Sequence, residues 1–150
     1  CIPFSCVFTY FCFDKFFKWD NLSGFNNIIV FIIVICCAVV GLANSAKIYT
    51  LVTAIVTIAV LIYLHFVVRA YWISKATAVY CILMLGFFPV NGVLTGTGLA
   101  SPIVNYNPHD FLGIRMLTIP VEDAVYGYAQ FLAVVYFFYI FKKPVDAKVS

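Results

Sequence analysis

The chain has 150 residues, of which 65% are hydrophobic and 10% are charged, and its formal net charge is +3. Soluble domains carry about 25% charged residues and about 45–50% apolar ones, so this composition excludes a soluble domain and indicates a membrane protein. The charge is modest, and no basic cluster interleaved with aromatic residues lies outside the apolar segments, which argues against nucleic acid as a partner.

Five apolar segments follow one another along the chain, and most of them approach the length of a spanning helix. A helix needs about 20 apolar residues to cross the hydrocarbon core, and backbone groups in lipid must find their hydrogen bonds internally. We therefore predict an all-α fold, a polytopic transmembrane bundle of about five helices in which the first is truncated. The segments are 1–13, 28–43, 48–68, 76–94 and 121–141.

The connections between these segments are short, with one exception. Residues 44–47 and 69–75 form tight turns, and in the second turn Tyr71 and Trp72 are expected to anchor the membrane interface. The exception is 95–120, which is broken by glycines and prolines but is rich in apolar side chains. We interpret it as a folded cap over the helix ends, because long connections inside compact proteins are usually functional or disordered.

The basic residues indicate an orientation in the membrane. If the helices alternate in direction, seven Lys and Arg residues fall on one side and two on the other, a strong positive-inside bias. We expect an integral protein of a bacterial plasma membrane with a cytoplasmic C-terminus and with the cap near the opposite face. The larger set is Lys15, Lys18, Arg69, Lys75, Lys142, Lys143 and Lys148, and the smaller set is Lys47 and Arg115.

The cysteines and histidines give no sign of a metal site. All six cysteines lie in apolar stretches without a C-x-x-C pair, and His65 and His109 are far apart in the sequence. We interpret the cysteines as small apolar fillers and predict no metal.

Two adjacent carboxylates, Glu122 and Asp123, follow Pro120 at the start of the last apolar segment. Proline suits the first turn of a helix, so the acids fall in that turn. In one interpretation they complement the helix dipole, which is worth about 0.3–1 kcal/mol each. In the other, a charge at membrane depth costs roughly 2.5–3.5 kcal/mol and a neighbouring carboxylate disfavours double ionisation. One acid of the pair then keeps a proton near neutral pH and can act as a general acid.

Between the two acids, we expect Glu122 to be the proton donor. Adjacent helical residues point about 100° apart, so the two carboxylates cannot serve one atom equally. Glu122 shares its predicted face with Tyr126, Ala129 and Ala133, whereas Asp123 shares its face with Gly127 and Gln130. We expect Asp123 to pair with Arg115 or to accept N–H groups of the cap.

Aromatic residues make up 19% of the chain, and several lie on or near the last segment. They can be ordinary lipid-facing and interfacial rings. They can also line a site for a carbocation, because ring faces attract positive charge. An acid with aromatic walls in lipid is what a proton-initiated polyene cyclisation needs.

Four short motifs follow one another in the second half of the chain: L-T-G at 94–96, P-I-V at 102–104, G-I-R at 113–115 and P-V-E-D at 120–123. In this combination, and over about 48–143, the chain resembles the lycopene cyclase domain. This is the membrane-embedded type of carotenoid cyclase, which occurs as two small subunits or as fused tandem domains.

The resemblance implies a lycopene β-cyclase, an intramolecular lyase that acts on a linear carotenoid without net oxidation or reduction. An acid protonates the terminal double bond, a neighbouring double bond captures the cation and closes a six-membered ring, and loss of a proton gives a β-ionone ring. Glu122 and Asp123 carry over as the acidic motif. The residues expected to bind the substrate or support the site are Asn91, Thr95, Asn105, Tyr106, Arg115, Pro120, Tyr126 and Gln130.

The beginning of the chain also resembles this family. The sequence I-P-F followed by C-V-F-T-Y at 6–10 is similar to the stretch after the acidic motif in the first domain of fused members. The resemblance implies the end of an upstream repeat at 1–17, a linker with a transmembrane helix at 18–43, a three-helix cyclase domain at 44–143 and a cytoplasmic tail at 144–150. The expected partners are the lipid bilayer and the upstream domain or a homologous subunit, without which these 150 residues are expected to lack part of the active centre.

No cofactor is predicted. Gly96 and Gly98 are not followed by the remaining glycines of a dinucleotide fingerprint, so we expect no flavin. A carotenoid-cleaving oxygenase would need iron ligands, which two distant histidines do not supply, and a retinal Schiff base would need a lysine in the middle of a helix. The alternative that stays open is a non-catalytic carotenoid-binding, retinal-binding or structural membrane protein.

Overall fold

Helices dominate the structure. A computed structural model of the chain describes residues 2–17, 20–94, 109–116 and 118–142. A 3-10 helix at Asp20–Phe25 precedes α2, and a π-helical turn at Tyr63–Val67 extends α3. The predicted all-α fold is confirmed. Over the described residues the α-helices are α1 (Ile2–Phe16), α2 (Asn26–Ala43), α3 (Ile48–Ile62), α4 (Ile73–Leu94) and α5 (Val121–Phe141).

Four helical stretches among the described residues are long and apolar enough to cross a membrane. Only 17% to 33% of each is buried inside the bundle, so most of their apolar surface faces outward, where lipid rather than water suits it. Helix α1 has 15 residues and is therefore roughly 22 Å long, shorter than the hydrocarbon core of about 30 Å. The chain is an integral membrane protein. The four stretches are Leu22–Ala43, Ile48–Val67, Ile73–Val93 and Val121–Phe141.

The predicted turn at 44–47 is confirmed, since α2 ends at Ala43 and α3 begins at Ile48. In the second turn the two residues expected at the membrane interface differ in burial. Tyr71 is exposed, but Trp72 is only 4% exposed and stacks on Tyr139 with ring centroids 5.5 Å apart. Trp72 therefore belongs to the interior of the bundle, where it joins the start of α4 to the end of α5.

Helix α3 lies between α2 and α5. It packs closely on α2, because a Cβ atom added to Gly41 would come within 2.9 Å of the Cβ atom of Ala54. It runs in the same direction as α5. Side chains near the starts of the two helices are hydrogen-bonded, as are Tyr63 and Tyr136 towards their ends, with 2.9 Å between the two hydroxyl oxygens. The starts of α3 and α5 consequently lie at the same end of the bundle, here called the acid end.

Helix α4 runs antiparallel to α5 and begins at the opposite end, here called the far end. At the far end the amide of Asn26 is buried. Its Nδ2 donates to the carbonyl of Ala70 at 2.9 Å, and its Oδ1 accepts from the N–H of Ser74 at 2.8 Å and from the Ser74 hydroxyl at 2.5 Å. A Lys75–Asp14 ion pair of 3.2 Å joins α4 to α1 nearby. These contacts fix the start of α4 against α1 and α2.

The described part of the long connection is folded against the acid end. Two short strands, β1 (Arg115–Met116) and β2 (Ile119–Pro120), pair antiparallel, and Ile119 is fully buried. Gly113 adopts a φ of +82°, which favours glycine, at the turn before β1. The predicted cap is thus present over 109–116 and 118–120, and residues 95–108 lie outside the described part of the chain.

Candidate functional site

The acidic pair lies where the first turns of α3 and α5 meet under the cap. Pro120 has extended backbone angles (φ −58°, ψ 140°) and stands immediately before the helix, so Val121 is the first helical residue. Glu122 and Asp123 occupy the first turn of α5, as predicted. Tyr49 and Thr50 occupy the first turn of α3 and face them.

Glu122 is the more buried of the two acids, with only 2% of its surface exposed. Its Oε1 accepts two hydrogen bonds of 2.7 Å, one from the Thr50 hydroxyl on α3 and one from the Leu112 N–H in the cap. Its Oε2 is also buried, and among the described residues it has no hydrogen-bond partner. A carboxyl oxygen has two acceptor positions, so Oε1 is fully used and Oε2 is the oxygen on which a proton can reside.

The described basic side chains at the acid end bind groups other than Glu122. The Lys47 ammonium donates to the carbonyl of Leu112 at 3.0 Å, and Arg115 donates to the carbonyl of Thr118. Within the described ranges the buried Oε2 of Glu122 therefore has neither a hydrogen-bond partner nor a cation beside it.

Asp123 differs from its neighbour. It is partly buried, and its Oδ1 accepts a short hydrogen bond from the Tyr49 hydroxyl. The expected pairing with Arg115 is wrong: between these two described residues no ion pair occurs, because the Arg115 guanidinium donates to the carbonyl of Thr118 at 3.2 Å and lies over the Phe111 ring. In the described part of the cap, the Leu112 N–H donates to Glu122 rather than to Asp123.

Of the other predicted site residues that the structure describes, Pro120 directly precedes the acids and the remainder lie on other faces or elements. Tyr126 is 47% exposed and Gln130 is exposed, both on the outer face of α5. The face of α5 that packs inward does include Glu122 and Ala129, which were predicted to share it. Seven residues complete almost two helical turns, whereas the four residues from Glu122 to Tyr126 overshoot one turn by about 40°. The side-chain amide of Asn91 donates to the Phe87 carbonyl within α4. Thr95, Asn105 and Tyr106 lie outside the described residues.

Two residues of the site, Tyr49 and Thr50, were not predicted from the sequence. For Thr50 the sequence does contain a signal, in the otherwise apolar segment that forms α3. Threonines recur at 50, 53 and 57, the spacing of one helix face, and all three are buried. The Thr57 hydroxyl donates to the carbonyl of Thr53 at 2.8 Å, while among the described residues the Thr53 hydroxyl has no partner.

Aromatic rings lie one to two turns beyond the acids, between α4 and α5. The Tyr80 hydroxyl donates to the carbonyl of Ala124 at 2.6 Å, and the Tyr80 ring lies 5.3 Å from Tyr128 and 5.5 Å from Phe131 between centroids. Gly127 makes this approach possible, because a Cβ atom there would come within 2.8 Å of the Tyr80 hydroxyl. These rings pack on one another and form part of the core rather than an open lining.

Comparison with known proteins identifies a family. The lycopene cyclase family model matches residues 46–141, a range that spans α3, α4, the cap and α5 and so contains the whole acid site. No curated protein and no solved structure matches the chain. Within the described residues no group of three His, Cys, Asp or Glu side chains is placed to hold a metal ion.

Proposed function

The chain belongs to the lycopene cyclase family, and on this premise we propose that it supplies the proton donor of a lycopene β-cyclase. The family match supports cyclisation of a carotenoid. The Oε2 atom of Glu122, buried and without a partner in the described part of the chain, supports the choice of donor. The substrate in this proposal is a linear carotenoid whose end enters the acid end of the bundle from the membrane.

The reaction begins with transfer of the proton from Glu122 Oε2 to the terminal double bond of the carotenoid. The neighbouring double bond donates its electron pair to the cation, which forms the carbon–carbon bond that closes a six-membered ring. The positive charge moves into the ring, and loss of a proton from the adjacent ring carbon restores a double bond and gives the β-ionone end group. One proton enters and one leaves, so the step needs no oxidant or reductant.

The two hydrogen bonds to Oε1 serve the acid after it has given up its proton. The Thr50 hydroxyl and the Leu112 N–H then stabilise the charged carboxylate, and no large rearrangement is required. Asp123, which accepts a hydrogen bond from Tyr49, lies at the same end of α5. In this proposal its carboxylate stabilises the cation and receives the released proton.

The proposal includes a setting for the chain. The domain at 44–143 works with an upstream cyclase domain of the same protein or with a homologous subunit. The far end, which carries Lys75 and the end of α5, faces the cytoplasm of a bacterial cell. A reporter fused after Ser150 is expected to be cytoplasmic, and an extracytoplasmic reporter would contradict this orientation.

The function is tested in cells that accumulate lycopene. The full-length natural protein that carries this chain is expressed there, and the pigments are separated by liquid chromatography. Conversion of lycopene into a β-ring product is expected from the wild type, and Glu122→Gln is expected to abolish it. Asp14→Asn is the matched control, because it makes the same carboxyl-to-amide change at the far end and should leave conversion unchanged.

Two outcomes would contradict the proposal. Absence of any cyclised pigment in cells with a verified amount of wild-type protein in the membrane would remove the function. Full cyclisation by Glu122→Gln would remove Glu122 as the donor while leaving the family assignment in place.

A further inference from the structure

The hydrogen bonds at Glu122 distinguish its two oxygens. Oε1 receives the Thr50 hydroxyl and the Leu112 N–H, each at 2.7 Å, whereas Oε2 has no partner among the described residues. The Leu112 N–H is a backbone group that cannot be altered by a side-chain substitution. Thr50 is 3% exposed and provides the other donor from α3, the helix that packs along α5.

We propose that Thr50 is a positioning residue: its hydroxyl fixes the carboxyl plane of Glu122 and confines the transferable proton to Oε2. This inference rests on the proposed function, in which Glu122 is the acid. With both acceptor positions of Oε1 occupied, a proton cannot transfer between the two oxygens by rotation of the group. Loss of one donor frees the carboxyl group to turn, so the proton spends less time in the productive direction.

The neighbouring threonine offers a matched control. Thr53 lies one turn further along the same face of α3, is equally buried at 3% exposure, and has a hydroxyl without a described partner. Thr53→Val and Thr50→Val remove the same atoms from the same helix face. Only Thr50→Val removes a hydrogen bond to Glu122. Thr50→Ser keeps that hydroxyl and serves as the conservative variant.

The first measurement is independent of catalysis. Infrared difference spectra of the full-length protein in lipid membranes are recorded from acidic to alkaline pH, and the carboxyl band of Glu122 is identified as the one that Glu122→Gln removes. With the proton on Oε2, Oε1 is the carbonyl oxygen that accepts from Thr50 and Leu112. A hydrogen bond to a carbonyl oxygen lowers its stretching frequency, so Thr50→Val is expected to shift the band of the protonated group to higher frequency, whereas Thr50→Ser and Thr53→Val leave it in place.

The second measurement is the turnover of lycopene by the same membranes. Thr50→Val is expected to lower kcat about tenfold with KM within about twofold, because the substrate still binds but the proton is misdirected. Thr50→Ser should restore most of the rate. A change that merely lowered the amount of folded protein would leave both the band frequency and KM unchanged and would affect Thr53→Val equally.

The inference and the proposed function fail separately. An unmoved carboxyl band in Thr50→Val, or equal shifts of the band frequency in Thr50→Val and Thr53→Val, would overturn the role of Thr50 even if Glu122→Gln abolishes cyclisation. Absence of cyclised product from the wild type would overturn the function, whatever the spectra show.

Discussion

The two ends of the bundle use buried polar side chains at helix starts in different ways. At the far end, Asn26 reaches from α2 to the start of α4, and both its amide nitrogen and its amide oxygen are hydrogen-bonded. At the acid end, Glu122 is more buried than Asn26, with 2% of its surface exposed against 8%, but one of its oxygens has no described partner. Buried polar groups in native structures are nearly always paired, so under the proposed function the difference separates a residue that holds the fold from one that takes part in chemistry.

The largest effect should come from Glu122→Gln. A general acid contributes about 10²–10⁴-fold to a rate, so cyclisation should fall by at least 100-fold. The free energy of unfolding should change little, because the glutamine oxygen can still accept from Thr50 and Leu112. Pigment analysis together with thermal unfolding in detergent checks both parts. A marked loss of stability with retained activity would show that the acid end is structural after all.

For Asn26→Ala at the far end we expect the opposite result, a loss of stability with retained activity. It leaves the Ser74 N–H, the Ser74 hydroxyl and the Ala70 carbonyl without their partner, which should lower the free energy of unfolding by about 2–3 kcal/mol. Activity per folded molecule should be retained. The control is Asn44→Ala, since the Asn44 amide makes only an exposed hydrogen bond to Val40 and its loss should cost much less. Equal losses of stability in the two variants would contradict this account of Asn26.

A smaller effect is expected from Gly127→Ala, beside the acid end. The added Cβ atom meets the Tyr80 hydroxyl at 2.8 Å, which should cost about 1–3 kcal/mol of unfolding free energy. In a Tyr80→Phe background the clash is absent, so the same substitution should be tolerated. Gly86→Ala is the control, because nothing lies within 4 Å of its Cβ position. Chemical unfolding of the wild type, the two single variants Gly127→Ala and Tyr80→Phe, and the double variant measures the coupling between the two positions. Additive changes in the free energy of unfolding would contradict the clash.

The smallest effect should come from breaking the Lys75–Asp14 ion pair at the far end. The pair spans 3.2 Å, and 35% of the aspartate side chain is exposed. Such pairs contribute about 0.2–1 kcal/mol, so Lys75→Met should barely lower the thermal midpoint, and salt should reduce the difference further. A loss as large as that of Asn26→Ala would mean that charge rather than the Asn26 amide fixes the start of α4.

Hydropathy and length were sufficient to predict the helices and the turn at 44–47, because every backbone group in lipid must be bonded within its own segment. They also predicted that Glu122 and Asp123 stand in the first turn of the last helix. They could not predict which helix the acids face. That depends on α3 and α5 running side by side in the same direction, which brings together Thr50 and Glu122, 72 positions apart in the sequence.

The same limit explains the residues whose roles differ from expectation. Tyr71 and Trp72 are neighbours with similar interfacial character, but only the position of α5 decides that Trp72 is buried against Tyr139. Arg115 is close to Asp123 in sequence, yet the short β1–β2 turn directs it to Thr118 and Phe111. Spacing along the chain specifies local conformation but not the partner that packing brings to a side chain.

By itself the sequence determined that this protein resides in a membrane as a helical bundle and carries an acid pair at a helix start, because burial of apolar length and helix geometry are local properties. Only the tertiary structure decided that one oxygen of Glu122 is fully hydrogen-bonded while the other is buried without a partner among the described residues. That asymmetry arises because the Thr50 hydroxyl on α3 and the Leu112 N–H in the cap both donate to Oε1 of Glu122. Contacts between distant parts of the chain cannot be recognised from the pattern of any one segment.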